Sequence, residues 1–223
     1  IIYVWLDALT NYLSALNYPD TKNTLFNKFW PASIHLIGKD ILRFHAVYWP
    51  AFLLAANVTL PKKVYGHGWI LSGDEKMSKS KGNILDPLEI IEKYGLDSLR
   101  YYLIKEVSFG NDGNISQERL ENCINSDLAN NYRNLCKRVI AFTIKNCERK
   151  IPSKIKFLED DLKILNKYKK NLDNIRSKID EQNINFYIDF IVNSLFEANK
   201  YFNDQEPWKK KDDQLRLNTI VYT

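Results

Sequence analysis

The sequence predicts an α/β unit built on an open parallel sheet, followed by an all-α helical bundle. Two observations carry this. From residue 1 to about 115, short β-branched and aromatic runs alternate with helical patterns, the layout of parallel strands joined by crossover helices. From about 116 to 223 no strand pattern survives, and apolar residues recur at helical spacing. The turn cluster Asn111-Asp112-Gly113-Asn114 marks the joint, giving domains 1–115 and 116–223. Hydrophobic residues at 45% supply a core and exclude bulk disorder.

Ile1-Ile2-Tyr3-Val4-Trp5 reads as a buried strand. Leu6-Asp7-Ala8-Leu9 then leads into a helix through Tyr12, Leu13 and Leu16. A second strand, Ser33 to Gly38, ends where Asp40 sits as a helix cap. The helix after it carries Ile41, Phe44, His45, Tyr48 and Phe52, with Pro50 kinking it or marking its middle. Val64 to Leu71 reads as a third strand, in which Gly66 and Gly68 flank His67 and imply close backbone approach. Asp86-Pro87 caps a helix that ends at Gly95, and Asp97-Ser98 starts the next.

In the second half, Ser116 opens a helix with Glu118 in its first turn. Leu128, Leu135, Val139 and Phe142 continue the pattern until Pro152 and its basic surroundings break it. Helices follow over about 158–181 and 184–203.

Three cysteines form no CxxC pair and no zinc spacing, which fits a reducing compartment and a cytoplasmic location. No stretch reaches the roughly 18 apolar residues of a membrane span. The opening residues lack the charged n-region of a signal peptide. Both ends fall inside folded patterns, so the expectation is a fragment of a longer protein.

Lys76-Met77-Ser78-Lys79-Ser80-Lys81-Gly82-Asn83 has no apolar periodicity and offers ammonium and hydroxyl groups to an anion. It is not a Walker loop. On composition alone it is a solvated lysine-rich loop. Its residue order resembles the signature loop of class I aminoacyl-tRNA synthetases. VWLDALTNY, IHLIGKDILRFHAVYWPAFL, GHGWIL and KMSKSKGN, in this order, resemble the methionyl branch of that class. The resemblance implies the second half of a Rossmann-type catalytic domain and a truncated α-helical anticodon-binding domain.

The activity implied is that of a methionine–tRNA ligase: ATP-dependent formation of methionyl-adenylate, then transfer to the 3′ end of tRNA(Met). Its substrates are methionine, ATP with Mg2+, and tRNA, with no metal site in this chain and no membrane partner. The HIGH-type ATP motif is absent, so the isolated fragment is expected to be nearly inactive. Negative charge develops on the phosphates during activation, so positioned cations are the main protein contribution. Lys79 is first choice, with Lys76 beside it. Lys81 is read as solvated, and apolar Met77 as the loop's anchor.

The resemblance places Trp5, Ala8, Tyr12, Phe44 and His45 at the methionine pocket, where aromatic rings suit a thioether. Read alone, Trp5 and Phe44 are core residues and His45 a structural histidine. Some members carry proline where this chain has Leu9, so Leu9 is not carried over. Gly38 and Asp40 match adenosine-side residues. Asp40 either accepts from ribose hydroxyls or caps its helix. His67 and Gly68 match the adenine-side strand.

Asn134 and Arg138 share a helix face, and Trp208 follows the end of a helix. Asn, Arg and Trp suit single-stranded RNA, read through base edges and π-faces. Read alone, the Asn/Arg pair is a solvated face. The strings NLCKR and EPW resemble the family's anticodon reader, with Arg133 and Lys137 as candidate phosphate contacts. Basic and acidic residues nearly balance over 151–223, so specific contacts must place the tRNA. The competing readings are a non-catalytic tRNA-binding module and a sister synthetase for another aliphatic amino acid.

Overall fold

A computed structural model of the chain describes residues 4–73, 75–77, 85–153 and 155–223. They form two compact units. The first comprises 1–71 with 110–113, and the second 72–109 with 114–223.

In the first unit, α1 (Val4–Ser14) replaces the expected opening strand at Val4 and Trp5; residues 1–3 lie outside the described residues. The reason is phase. Trp5, Leu9 and Leu13 are four apart, so a helix turns all three to one side. Leu9 and Leu13 are buried in a cluster with Trp30, Trp49, Leu53 and Val58, and Trp5 packs against it. A five-residue β-branched and aromatic run does not distinguish strand from helix by itself.

The short α2 (Thr24–Phe29) precedes β1 (His35–Gly38). A 3-10 turn (Lys39–Ile41), a π-helical turn (Phe44–Tyr48) and α3 (Trp49–Ala55) follow. Asp40 does not cap: Gly38 holds the N-cap position, without a side-chain bond, and Asp40 lies inside the 3-10 turn. Pro50 lies inside a helical run continuous over 39–55, directly after the π turn, where a kink was expected. It has no N–H and crowds the preceding turn. The wide turn before it, with Trp49 N–H bonded to the Phe44 carbonyl, makes room.

β2 (Val64–His67) pairs with β1 in parallel, His35 opposite Val64 and Gly38 opposite His67. The expected third strand is broken: β3 begins again at Ile70 (Ile70–Ser72). A Cβ on Gly68 would lie 2.1 Å from the Asn111 carbonyl oxygen, so the backbone of 111–112 occupies the space a side chain needs. The Trp69 N–H is taken by the Asp112 carboxylate at 2.8 Å instead of by a strand. The glycine reading is thus met by the chain itself.

The second unit holds β4 (Glu75–Lys76), α4 (Pro87–Tyr94) and α5 (Leu96–Glu106). As expected, Asp86 caps α4, accepting from Leu88 N–H at 2.8 Å, and Gly95 stops it with φ +85°. After β5 (Gly113–Asn114), α6 (Gln117–Cys123) starts at the Ser116 cap. A π-helical stretch, Ile124–Arg133, then leads into α7 (Asn134–Asn146). α8 (Glu159–Asp180) and α9 (Ile184–Gln205) agree closely with the sequence reading. A 3-10 turn (Pro207–Lys209) and α10 (Gln214–Tyr222) complete the bundle.

Two polar joints tie these helices. Asn185 donates to the carbonyls of Ile104 and Lys105 at 2.7 and 2.6 Å, joining α9 to the last turn of α5. Asp161 is fully buried; it accepts from Arg216, Tyr201 and the Leu158 N–H. Burial pushes its carboxyl up, but these donors outweigh burial and hold it below the usual carboxylate range.

Candidate functional site

In the first unit the π turn sets the position of Phe44 and His45. His45 is 2% exposed. Its Nδ1 lies 3.0 Å from the Ile41 carbonyl, and its Nε2 lies 3.0 Å from the Tyr12 hydroxyl. A carbonyl only accepts, so Nδ1 carries a proton; in the neutral ring Nε2 then accepts from Tyr12. Trp5 stacks on Phe44 with centroids 4.0 Å apart and planes 11° apart. It meets His45 edge-on at 6.3 Å. Ala8 lies on α1 between Trp5 and Tyr12, exposed. The structure therefore brings Trp5, Tyr12, Phe44 and His45 together, with Ala8 on the same helix face. Leu9 faces the core, 1% exposed.

Behind this cluster lies His35, which sequence reasoning missed. Its ring is 4.4 Å from that of Tyr12, and its Nε2 accepts from Trp49 Nε1–H at 3.3 Å. Burial pushes the His35 imidazole below the ordinary histidine pKa, and His45 adds to the shift. Burial pushes the Tyr12 phenol up. One signal was available: in a strand, His35 shares a face with Ile37, and both are buried.

The carboxyl ends of β1 and β2 carry the nucleotide-side candidates. Open α/β sheets take ligands at this edge. Gly38 and His67 are register partners there. A Cβ on Gly38 would come within 3.0 Å of Asp40 Oδ1 and 4.0 Å of the His67 ring, so Gly38, Asp40 and His67 converge. The His67 Nδ1–H donates to the Gly68 carbonyl at 2.9 Å. Trp69, also missed, donates its Nε1–H to Asp40 Oδ1 at 3.1 Å. Lys39 Nζ lies 4.7 Å above the Trp69 ring and pairs with Asp112 at 2.6 Å. Lys39 and its neighbours hold the Asp112 carboxyl below its usual range.

In the second unit, Lys76 is exposed on β4. Met77 packs against the cluster of Tyr102, Ile115, Leu120 and Cys123, as an anchor should. Lys79 and Lys81 lie outside the described residues. Asn134 opens α7, exposed, with Arg138 one turn on. The Arg138 guanidinium lies 5.4 Å over the Phe202 ring and donates to Asn203 Oδ1. Trp208, 41% exposed, meets the same Phe202 edge-on at 6.3 Å. Arg138 and Trp208, 70 positions apart in sequence, thus converge on one ring. Neither Phe202 nor Asn203 was singled out by the sequence, since both fit an ordinary bundle helix.

The profile described as tRNA synthetases class I (M) matches residues 1–140. The chain belongs to this family. A methionine–tRNA ligase of Brucella suis biovar 1 is 49% identical over the whole chain, which covers 43% of that relative. One of Mycobacterium leprae is 44% identical, with 42% of its length covered. The chain spans less than half the length of these curated relatives. Among solved structures of the family, Mycobacterium tuberculosis methionyl-tRNA synthetase in complex with methionyl-adenylate superposes with a TM-score of 0.93 at 44% identity. All of this chain and 45% of that one are covered. The free form of the mycobacterial synthetase superposes at 0.88 with 40% identity. The family match, the parallel pair β1–β2 and the helical bundle bear out the fold class read from the sequence.

Proposed function

We propose that the whole protein is a methionine–tRNA ligase, that residues 1–115 serve the second half of its catalytic domain, and that 116–223 serve its anticodon reader. The observation that carries this is the Trp5, Tyr12, Phe44 and His45 cluster in a chain that superposes on a synthetase complexed with methionyl-adenylate. At 4.0 Å the Trp5 and Phe44 rings are already in van der Waals contact. The thioether therefore packs against the outside of this stack rather than between the two rings.

In the reaction, the methionine carboxylate attacks the α-phosphorus of ATP, and the bond to pyrophosphate breaks. A ribose hydroxyl at the tRNA 3′ end then attacks the adenylate carbonyl and releases AMP. ATP enters as its Mg2+ complex, a substrate rather than a resident cofactor. Among the described residues no group of three His, Cys, Asp or Glu could hold a metal. Lys79, with Lys76, neutralises charge on the leaving pyrophosphate. Gly38 lets the nucleotide approach the sheet edge, Asp40 accepts from the ribose, and His67 and Gly68 border the adenine. Asn134, Arg138 and Trp208 read the anticodon of tRNA(Met) by base-edge bonds and stacking. No described helix is long and apolar enough to cross a membrane, and the proposed location is the cytoplasm.

The test is ATP–pyrophosphate exchange by the complete protein with each of the twenty amino acids. Exchange with methionine alone is expected. Exchange with another aliphatic amino acid assigns the chain to a sister enzyme. No exchange with any leaves a tRNA-binding module without the chemistry.

A further inference from the structure

Asp40 is an exposed carboxylate on a three-residue turn. A side chain so placed loses rotamer freedom when it engages a ligand, and that loss weakens binding unless the carboxylate is held beforehand. The structure supplies the hold. The Trp69 indole N–H, a group that can only donate, bonds Asp40 Oδ1 at 3.1 Å. Trp69 is itself fixed from three directions. Its backbone N–H goes to Asp112 Oδ1 at 2.8 Å. Its carbonyl accepts from Gly113 N–H at 2.8 Å. Its ring lies 4.7 Å beneath the Lys39 ammonium, a cation–π contact. Lys39 is tied in turn to both Asp112 oxygens, at 2.6 and 2.7 Å. Gly68 completes the arrangement, because any side chain there would displace the 111–112 backbone that carries Asp112.

We propose that Trp69 is a positioning residue for nucleotide recognition, orienting the Asp40 carboxylate toward the ribose hydroxyls, with Lys39 and Asp112 holding the indole in place. The inference rests on the proposed role of Asp40 as the ribose contact. Lys39 is the nearest cation in sequence to the ribose contact, yet it acts through the indole rather than on a phosphate.

The experiment compares ATP with 2′,3′-dideoxy-ATP in pyrophosphate exchange by the complete protein, wild type and Trp69→Phe. Phenylalanine keeps a ring under Lys39 and removes the donor. The expected result is a rise in KM for ATP of roughly fivefold to tenfold, about the net worth of one ordinary intramolecular hydrogen bond. The expected kcat stays within about twofold and the KM for methionine is unchanged, as for an interaction lost from binding. With the dideoxy nucleotide the penalty disappears, and Trp69→Phe in an Asp40→Ala background adds no further ATP penalty. An equal penalty with both nucleotides assigns Trp69 a merely structural role and overturns the inference. So does an unchanged KM in a folded Trp69→Phe protein. A wild type that treats the two nucleotides alike removes Asp40 from the ribose, and the underlying reading falls with the inference. Should Trp69→Phe not fold, Trp69→Met, which fills space without a donor, carries the same comparison.

Discussion

The clusters around His45 and Arg138 solve opposite problems, each built on Phe and Trp rings. Around His45 the histidines and Trp49 are inside, and only Tyr12 reaches the surface. Each donor is matched to an acceptor on a neighbouring element, and the tautomer is set before any ligand arrives. Around Arg138 the polar groups are outside, spread over a ring that is itself core: Phe202 is buried, while Trp208 and Asn134 face solvent. The first arrangement suits a small molecule that must be surrounded. The second suits a base that must be met on one face. A buried polar cluster loses much when a single partner goes, whereas an exposed cluster loses only what that residue contributes.

The lysine-rich segment proposed to act in catalysis gives the largest contrast. In the complete protein, Lys79→Ala is expected to slow exchange by about 10²–10³-fold, the usual loss for one transition-state donor. Methionine affinity stays, and a loss confined to methionine binding contradicts the transition-state role.

Tyr12→Phe comes next, because it leaves His45 Nε2 buried without its donor. A cost of about 1–3 kcal/mol is expected. Methionine binding measured by titration weakens while tRNA binding does not. An unchanged methionine affinity means that the Tyr12–His45 bond is structural only.

Trp208→Ala sharpens the other side. Removing one stacking surface is expected to weaken tRNA affinity by about 1–3 kcal/mol, with pyrophosphate exchange intact. If exchange falls as well, the reader is not separable from the catalytic chemistry.

The smallest effect is a pH slope. The folded-state pKa of His35 is depressed, so the unfolded chain binds more protons at and somewhat below pH 6.5. Stability from this residue is complete above about pH 6.5 and falls as pH drops toward the depressed folded value. Thermal melts at about pH 5.5 and 7.5 are expected to differ more for wild type than for His35→Phe. Equal slopes exclude His35 as the origin.

What the sequence made legible follows from range. α8 and α9 could be drawn almost to their ends because a helical repeat over 22 residues averages out local ambiguity. The Asp86 and Ser116 caps were readable because a cap is a bond between near neighbours. Val4 and Trp5 were misread because what decides their conformation is Trp30 and Trp49, far along the chain. His35, Trp69 and Phe202 were missed for a related reason. Their importance lies in partners 14 to 64 positions away, and no local pattern marks such a partner. The candidate pocket residues were named through the family resemblance, since aromatic residues on a helix otherwise read as core.

The widened turn at Phe44–Tyr48 carries one more consequence. It holds one residue more than a regular helical turn, and each residue advances a helix by about 100°. Deleting a single residue there would let the segment relax into an unbroken α-helix while rotating His45 out of phase with Trp49 and Leu53. The side of the helix that now packs into the core and the side that meets Tyr12 would no longer agree. The count of residues in this stretch is therefore as fixed a requirement as the identity of His45 itself.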